Sequence, residues 1–467
     1  MKNLTKGSIL KQIVSFALPY FIASLFQQLY NLVDMVIVGR TLGQMAYTAV
    51  GATGSLTWFT IGTVQSLTHG FSVITAQRYG AGDEEGVKQS FGTAIRLSVF
   101  ISVIASLGFA LLARQLLEIM QTPADIIDRS YNYLVWIYAG TFAGVIYNLL
   151  AAMMRAIGDS RTPLYFLVLS SILNVGLDLL FIVGFGMDTE GAGIATVLAQ
   201  LISGICCVVY IKKKYPALHI GLRHLAANKN MRRALLRIGV PMAFLNMVLS
   251  FGEIIAQFVT NGLGTLYVLA RSTASRITGI VGIPIGAIGS ALAVFVAQNF
   301  GARKYSRIVA AGRVSYALCF AMNVLIFLAL LLFSDTFVTL LVGELEPSVL
   351  GNARISILIF AGFNFLLSAV FVIKQSLQAV GEATVTVISG ISEIVGRITV
   401  SLLALAMINQ GFISGDLGFI IVCLATPVAW VLGISTMIYS YVKMVRRFKQ
   451  LAAQEAEEDE ELAEIVD

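Results

Sequence analysis

Polar residues that could bind a cation lie inside the first apolar segment of the sequence. This segment runs from about residue 12 to 38 and is long enough to cross a bilayer as a helix. One helical face carries polar residues spaced i, i+3, i+4 and i+7, namely Gln27, Tyr30, Asn31 and Asp34. A carboxylate at this depth costs roughly 2.5 kcal/mol or more unless polar surroundings compensate it. The pattern therefore predicts a cation or proton site, with a polar cluster that only holds helices together as the alternative.

A second pair of polar residues lies in the fifth apolar segment, where Asn174 and Asp178 are spaced i, i+4 and share a helical face. Asp178 and Asp34 are the two acidic residues that we expect deep in the membrane within the first half of the chain. Two carboxylates with neutral oxygens beside them can coordinate Na⁺, whereas two neighbouring carboxylates in a medium of low dielectric can instead share one proton. The sequence leaves H⁺ and Na⁺ open, and a structural hydrogen-bond network is the alternative.

Twelve apolar segments must position these residues. The chain has 467 residues, of which 57% are hydrophobic and 12% charged, whereas about a quarter of the residues in a soluble protein are charged. Apolar runs of suitable length begin near residues 12, 49, 89, 130, 162, 191, 234, 266, 308, 352, 384 and 416. Composition and spacing together predict an all-α polytopic membrane protein with twelve transmembrane helices.

Basic residues predict how these helices are oriented. With the N-terminus inside, 24 of the 32 Lys and Arg residues lie in inward segments and 5 in outward ones. Both termini and the polar connection 212–237 are then cytoplasmic, in a bacterial cytoplasmic membrane. The excess of positive charge belongs to these loops, so we expect the lipid bilayer as a partner and no nucleic acid. The four cysteines lie within apolar runs and lack metal-binding spacing.

The two halves of the chain repeat each other. Three matches have offsets of 222, 221 and 223: 16–19 with 238–241, 76–81 with 297–302, and 155–159 with 378–382. Each half has six apolar segments, so the halves have the same orientation and an axis along the membrane normal relates them, which suits a two-lobed transporter. We predict an N-lobe, a cytoplasmic linker, a C-lobe and an acidic cytoplasmic tail over 1–211, 212–237, 238–450 and 451–467.

The sequence resembles the MATE (multidrug and toxic compound extrusion) family. The resemblance rests on residues of the first span and on loop motifs, namely Pro19, Gln28, Asn31, Asp34, Gly39, Leu42–Gly43, 49–51, 155–159 and 298–302. It covers the chain up to about residue 451. The resemblance implies two pseudo-symmetric six-helix bundles that form a V-shaped cleft. It also implies export of organic compounds in exchange for H⁺ or Na⁺.

The same resemblance implies a cation-linked pocket in the N-lobe. Its expected members are Tyr30, Asp34, Asn148, Asn174, Asp178 and Thr196. A bound Na⁺ would take its ligands from Asp34, Asp178, Asn174 and Thr196. Pro19 removes a backbone hydrogen bond within the first span, and the resemblance implies that the helix bends there during transport; a fixed shape is the alternative. Gln28 and Asn31 are candidates for contact with the substrate.

The C-lobe carries four charged residues within its apolar segments: Glu253, Lys374, Glu393 and Arg397. Glu393 and Arg397 are spaced i, i+4, which favours a structural ion pair along one helix. Glu253 and Lys374 could pair across helices or contact a substrate. The NorM-like branch of the family has an acidic residue in the tenth span, where this chain has Lys374. The pattern is closer to the DinF-like branch, in which the N-lobe carries the aspartates.

These features predict a monomeric secondary active antiporter that exports small amphipathic, often cationic, organic compounds or drugs. Its coupling ion would be H⁺ or Na⁺, and no other cofactor is expected. The alternative is a flippase or an exporter of a lipid-linked or endogenous metabolite, which would need a strongly cationic cavity. An enzyme is not expected, because the sequence lacks a zinc-binding His-Glu-x-x-His helix and a nucleophile elbow. An ATP-driven pump is excluded by the absence of a P-loop.

Overall fold

The computed structural model describes residues 3–226, 228–343 and 345–466, without the side chains of 253–257, 341–342, 456 and 458–466. All regular secondary structure in this part of the chain is helical. The first half forms α1 (Ile9–Thr41), α2 (Gln44–Ala52), α3 (Gly54–Gly80), α4 (Glu84–Ile119), α5 (Ile127–Ala139), α6 (Thr141–Ala156), α7 (Arg161–Asp178) and α8 (Thr189–Lys214). The second half forms α9 (Lys229–Leu263), α10 (Thr265–Gly301), α11 (Tyr305–Val342), α12 (Pro347–Ala379), α13 (Ala383–Asn409) and α14 (Gly415–Val466).

The twelve predicted spans all coincide with these helices, which confirms the predicted all-helical membrane fold. Ten helices in the described chain are long and apolar enough to cross a membrane, and α5 with α6, bent by 48°, makes an eleventh. The remaining span is α2 with α3. Its hydroxyl residues, together with Gln65 and His69, make it more polar than the other spans. A polar span of this kind must be shielded by neighbouring helices or by water.

The internal repeat is visible in the backbone as well as in the sequence. Residues with positive φ, which most side chains avoid, recur in the turns between helices. The pairs are Gly43 with Gly264, Gly82 with Arg303, Gln121 with Gly343, Gly158 with Gly381, and Gly186 with Gly411. Four of these five offsets, 221 to 223, match the offsets of the sequence repeat, and the last pair differs by 225. The two halves therefore share one pattern of helices and turns.

Contacts divide the chain into two compact units. The first unit comprises Met1–Lys6 and Leu18–Asn246, and the second comprises Gly7–Ala17 and Met247–Asp467. Within helix α1 the division between the two units falls between Ala17 and Leu18, one residue before Pro19. The domain boundaries drawn from the sequence stay a prediction.

Close packing of α5 against α8 positions part of the first unit. An added Cβ at Gly193 would lie 2.9 Å from the carbonyl oxygen of Tyr133, and one at Gly140 would lie 2.1 Å from Val197 Cγ2. Small residues let helix backbones approach closely in membranes, where dispersion contacts replace the hydrophobic driving force. This approach brings Tyr133 and the part of α8 that contains Thr196 to the same region of the unit.

Candidate cation site in the first unit

Helices α1 and α7 each place a carboxyl group inside the first unit. Asp34 lies in the second half of α1 and is 7% exposed, whereas Asp178 is the last α-helical residue of α7 and is fully buried. A π-helical stretch, Leu179–Gly184, continues directly from Asp178. Such stretches are often found at functional sites, because the wider turn re-aims the neighbouring side chains.

The two carboxyl groups lie within hydrogen-bonding reach of each other. In each of them the Oδ1 atom is buried and has no hydrogen-bond partner among the described residues. An ionised oxygen buried at this depth without a hydrogen-bond donor is unfavourable. The pair therefore has unused capacity for a positive ligand. A proton shared by the two carboxyl groups, or a small cation bound beside them, would compensate their charge.

A chain of hydrogen bonds links this pair to α8. In the orientation that satisfies both ends of its amide, Asn174 Nδ2 donates to Asp178 Oδ2 at 3.1 Å, and Asn174 Oδ1 accepts from the hydroxyl and the backbone N–H of Thr196, both at 3.3 Å. The hydroxyl of Tyr30 donates to Thr196 Oγ1 at 3.4 Å. Five of the residues predicted for the site are thus brought together by α1, α7 and α8.

Asn148 is the predicted member that the structure places apart from the carboxyl groups. Its Nδ2 donates to the carbonyl oxygen of Gly144 in its own helix, at 2.8 Å. Asn148 lines a cavity of about 20 Å³ that Gln65, Thr196 and Gln200 also line. A volume of this size holds about one water molecule. Asn148 therefore shares a cavity with Thr196 and makes no described hydrogen bond to Asp34 or Asp178.

Tyr133 belongs to this site although its spacing did not indicate it. It is 8% exposed and lies close enough to Tyr30, Asp34 and Asp178 to interact with them electrostatically. It lies in α5, which contributes none of the residues predicted for the pocket. From the sequence it is one of many aromatic residues in apolar segments, and only the packing of α5 against α8 reveals its position.

The other polar residues that were predicted for the site on α1 are exposed. Gln28 and Asn31 are exposed, and Asn31 Oδ1 accepts a hydrogen bond from Gln27 at 3.4 Å. Pro19 lies inside α1, as predicted, far along the helix from Asp34. The predicted polar face of α1 is therefore split, with Tyr30 and Asp34 directed into the unit and Gln27 and Asn31 at its surface.

The second unit contains an ion pair that differs from the predicted one. Lys374 Nζ on α12 lies 3.6 Å from Glu393 Oε1 on α13, with side-chain exposures of 13% and 6%. Ser389 also donates to Glu393 Oε1, at 3.2 Å. Within the described chain the cationic partner of Glu393 is therefore Lys374 and not Arg397 on its own helix. The side chain of Glu253 lies outside the described residues.

Comparisons with known proteins agree with this architecture. The MatE family profile matches residues 19–180 and again 241–403, an offset that repeats the internal one. "Probable multidrug resistance protein YoeA" of Bacillus subtilis is 28% identical over 366 residues, which cover 76% of this chain and 79% of that protein. "Multidrug export protein MepA" of Staphylococcus aureus is 20% identical over 299 residues, covering 64% and 66%.

Solved structures show the same fold. A MATE transporter in its bent conformation superimposes with a TM-score of 0.87 at 22% identity, covering 98% of this chain and 99% of that one. An outward-facing multidrug resistance MATE family transporter of the MOP superfamily gives a TM-score of 0.86 at 22% identity, covering 96% and 98%. With a family profile matched twice and a multi-pass helical fold, the chain belongs to the MATE family of membrane transporters.

Proposed function

We propose that the protein is a secondary active antiporter that exports amphipathic, often cationic, organic compounds in exchange for H⁺ or Na⁺. The observation that carries the proposal is the pair of membrane-buried carboxyl groups, Asp34 and Asp178, each with a free oxygen. An apolar interior retains such a pair at a high cost unless a cation or a proton compensates it. The names of the bacterial relatives support drugs as substrates.

Coupling would work through the helices that carry the two carboxyl groups. A proton or Na⁺ held between Asp34 and Asp178 draws α1 towards α7. Pro19 removes a hydrogen bond from α1, and the boundary between the two compact units crosses the helix next to this residue. Bending there would link cation binding to the substrate path. A ligand shifts such an equilibrium only through its different affinities for the two states, so the carboxyl pair must bind the cation more tightly in one of them.

The position of the charges favours coupling in the N-lobe, as in the DinF-like branch, over coupling in the C-lobe. In the second unit the ammonium of Lys374 already compensates Glu393. A carboxylate whose charge is already compensated by a lysine side chain gains less from binding H⁺ or Na⁺. Tyr30, Asn174 and Thr196 would position the N-lobe carboxyl groups, and Asn148 would act through the small cavity that it shares with Thr196.

The proposed setting is a bacterial plasma membrane, with both termini in the cytoplasm and the protein acting as a monomer. The excess of Lys and Arg in the inward segments supports this orientation. The alternative of a flippase for lipid-linked precursors would rely on cationic residues such as Lys374. Because Lys374 is paired with Glu393, this alternative gains no support from the second unit.

Transport by the purified, full-length protein in proteoliposomes tests the proposal. Uptake of a fluorescent lipophilic cation is followed under a pH gradient without Na⁺, and separately under a Na⁺ gradient at constant pH. Uptake that depends on one gradient and is absent from protein-free vesicles supports antiport and names the ion. If neither gradient drives any compound of a broad panel, although the protein is inserted and folded, the proposed function is wrong.

A further inference from the structure

The polar linker between the halves docks against the first turns of α4. A 3-10 helix, Leu222–Leu225, lies in this linker. An added Cβ at Gly92 would come within 2.4 Å of the carbonyl oxygen of His224, and Arg96 Nη1 donates to the carbonyl oxygen of Leu225 at 3.4 Å. His224 is only 6% exposed. The linker therefore packs closely against α4 and forms part of the first unit.

A cavity of about 490 Å³ lies between α4, the linker and the start of α9. Helix α4 lines it with Glu85, Gln89 and Thr93, which are spaced i, i+4 and i+8 and so lie along one face. The remaining lining residues are Arg223, His224, Ala226, Asn228, Lys229 and Asn230. Eight of these nine side chains are polar, so the cavity suits a polar ligand.

The charges of the lining favour an anion. Arg223 and Lys229 contribute two cations, and Glu85 is the single carboxylate. This carboxylate is already partnered, since Arg223 Nη2 and His224 Nε2 each lie 3.3 Å from one of its oxygens. His224 Nδ1 accepts from the backbone N–H of Gly221 at 2.8 Å, and His224 Nε2 lies 3.3 Å from Arg223 Nε as well as from Glu85. Because Arg223 neutralises Glu85, the ammonium of Lys229 leaves the lining with a net positive charge.

The N-terminus of α9 adds backbone donors to the same cavity. The side chain of Asn228 caps the helix by accepting from the N–H of Met231 at 3.0 Å. The N–H groups of Lys229 and Asn230 precede this capped amide and have no acceptor within the helix. The helix dipole reinforces their attraction for an anion.

A buried hydroxyl points to a ligand independently of the charges. Thr93 is fully buried, and its Oγ1 atom has no hydrogen-bond partner among the described residues. A threonine in a helix can satisfy its hydroxyl with the carbonyl four residues earlier, but Thr93 is left with an unused donor and acceptor. Leaving a buried hydroxyl unpaired is unfavourable, so a ligand in the cavity that Thr93 lines would supply its partner.

The surface of α4 beyond the cavity indicates where the ligand comes from. Phe100, Ile104, Leu107 and Leu111 are between 56% and 76% exposed, so this part of α4 presents apolar side chains to lipid. Phe100 lies seven residues after Thr93, which is about 10 Å along a helix. The cavity therefore lies next to the boundary between the polar end and the lipid-facing part of α4, at the level where phospholipid headgroups lie.

We propose that this cavity binds a phosphate group, supplied by the headgroup of an anionic phospholipid. Arg223, Lys229 and the first amides of α9 hold the phosphate oxygens, and Thr93 donates its hydroxyl to the same ligand. Because a soluble phosphate ester offers the same chemistry, the test compares the two sources.

Binding to the full-length protein in detergent is measured by calorimetry for three probes. These are dioctanoyl-phosphatidylglycerol, dioctanoylglycerol without the phosphate, and glycerol 3-phosphate without the chains. We expect the phospholipid to bind tightest, and Thr93→Val and Lys229→Gln each to weaken it about tenfold, since both remove a donor to a charged group. Lys213→Gln, at an exposed lysine outside the cavity, is the matched control and should leave the affinity unchanged.

The outcomes separate the two sources. If glycerol 3-phosphate binds as tightly as the phospholipid, the phosphate site stands and its ligand is a soluble ester. If dioctanoylglycerol binds as well as the phospholipid, or if both cavity variants bind the phospholipid like the wild type while melting normally, the cavity is not a phosphate site.

Discussion

The carboxyl groups of Asp34 and Asp178 lie within hydrogen-bonding reach of each other, although α1 and α7 are separated by most of the first unit in the sequence. Asn174 and Thr196 tie this pair to α8 through hydrogen bonds of 3.1 to 3.3 Å. The site thus combines two carboxyl groups, which provide charge, with a neutral network that fixes their positions. We therefore expect the carboxyl groups and the neutral network to contribute differently to transport.

The neutral network should matter less than the carboxyl groups. Thr196→Val removes the hydroxyl that accepts from Tyr30 and donates to Asn174, while the shape of the side chain is kept. We expect the initial rate of gradient-driven transport to fall by up to about tenfold, in line with the loss of one or two neutral hydrogen bonds. Ser203→Ala, in the same helix, is the matched control, because the Ser203 hydroxyl is buried without a described partner. Equal effects of the two variants would contradict this role of Thr196.

Removing one partner of the ion pair in the second unit should lower the stability of the fold. Lys374→Met leaves the buried carboxylate of Glu393 without its cation, 3.6 Å away in the wild type. We expect a loss of roughly 3 kcal/mol in the free energy of unfolding, because an uncompensated buried charge remains. Adding Glu393→Gln should restore most of that loss. A double-mutant cycle of denaturant unfolding in detergent measures the coupling, and a double variant as unstable as the single one would contradict it.

The contribution of Asp159 to the stability of the fold should depend on pH. It lies between α6 and α7, where its Oδ1 accepts from the backbone N–H groups of Arg161 and Thr162 at 2.9 and 3.0 Å, and its Oδ2 accepts from the hydroxyl of Tyr215. Burial raises the pKa of Asp159, but these hydrogen bonds outweigh it, so that its pKa lies below the ordinary value of 3.8. The ionised carboxylate therefore stabilises the fold above pH 3.8 and loses this effect as the pH falls through the lowered pKa.

We expect Asp159→Asn to melt earlier than the wild type at pH 7, by an amount that corresponds to about 1 kcal/mol, because the charge-assisted hydrogen bonds from the Tyr215 and Thr162 hydroxyls to Oδ2 are lost. The difference should stay constant down to about pH 5 and shrink towards lower pH. Melting curves of both proteins at a series of pH values provide the measurement. A difference that grows on acidification would have the wrong sign for this account.

Docking of the linker depends on the absence of a side chain at Gly92. Gly92→Ala would place a Cβ within 2.4 Å of the carbonyl oxygen of His224, and overpacking of this kind costs about 1 to 3 kcal/mol. We expect faster tryptic cleavage of the linker at Arg223 and Lys229. Gly108→Ala lies in the same helix with open space around its Cβ, so it should leave the cleavage rate unchanged. Equal protection of the linker in both variants would show that the contact is not needed.

Much of the fold and part of the site could be predicted from the sequence. Length and apolarity fix the spans, because a helix needs about 20 apolar residues to cross the bilayer. Asn174 and Asp178 point the same way because four residues are close to one helical turn. Residues spaced i, i+3, i+4 and i+7 share a face less closely, because their directions around the helix axis spread more widely. On a helical wheel Tyr30 and Asp34 lie to one side of Gln27, and Asn31 lies to the other, up to about 100° away. This difference separates buried from exposed residues on α1.

The other differences depend on contacts between helices, which spacing within one helix does not specify. Glu393 pairs with Lys374 because α12 and α13 bring them within 3.6 Å, whereas the i, i+4 rule favoured Arg397. Tyr133 reaches the site through the packing of α5 against α8 at Gly193. The docking of the linker on α4 likewise had no signal in its polar, aperiodic sequence.

Gradient-driven transport by single aspartate variants tests the central claim most directly. Asp34→Asn and Asp178→Asn each remove the charge while nearly keeping the shape, and Glu253→Gln is the matched change in the C-lobe. Proteoliposomes with equal amounts of folded protein are given the same cation gradient, and uptake of the same lipophilic cation is measured. The account predicts that both aspartate variants lose gradient-driven uptake, whereas Glu253→Gln keeps most of it. Full uptake by Asp34→Asn together with loss of uptake by Glu253→Gln would place the coupling site in the other lobe.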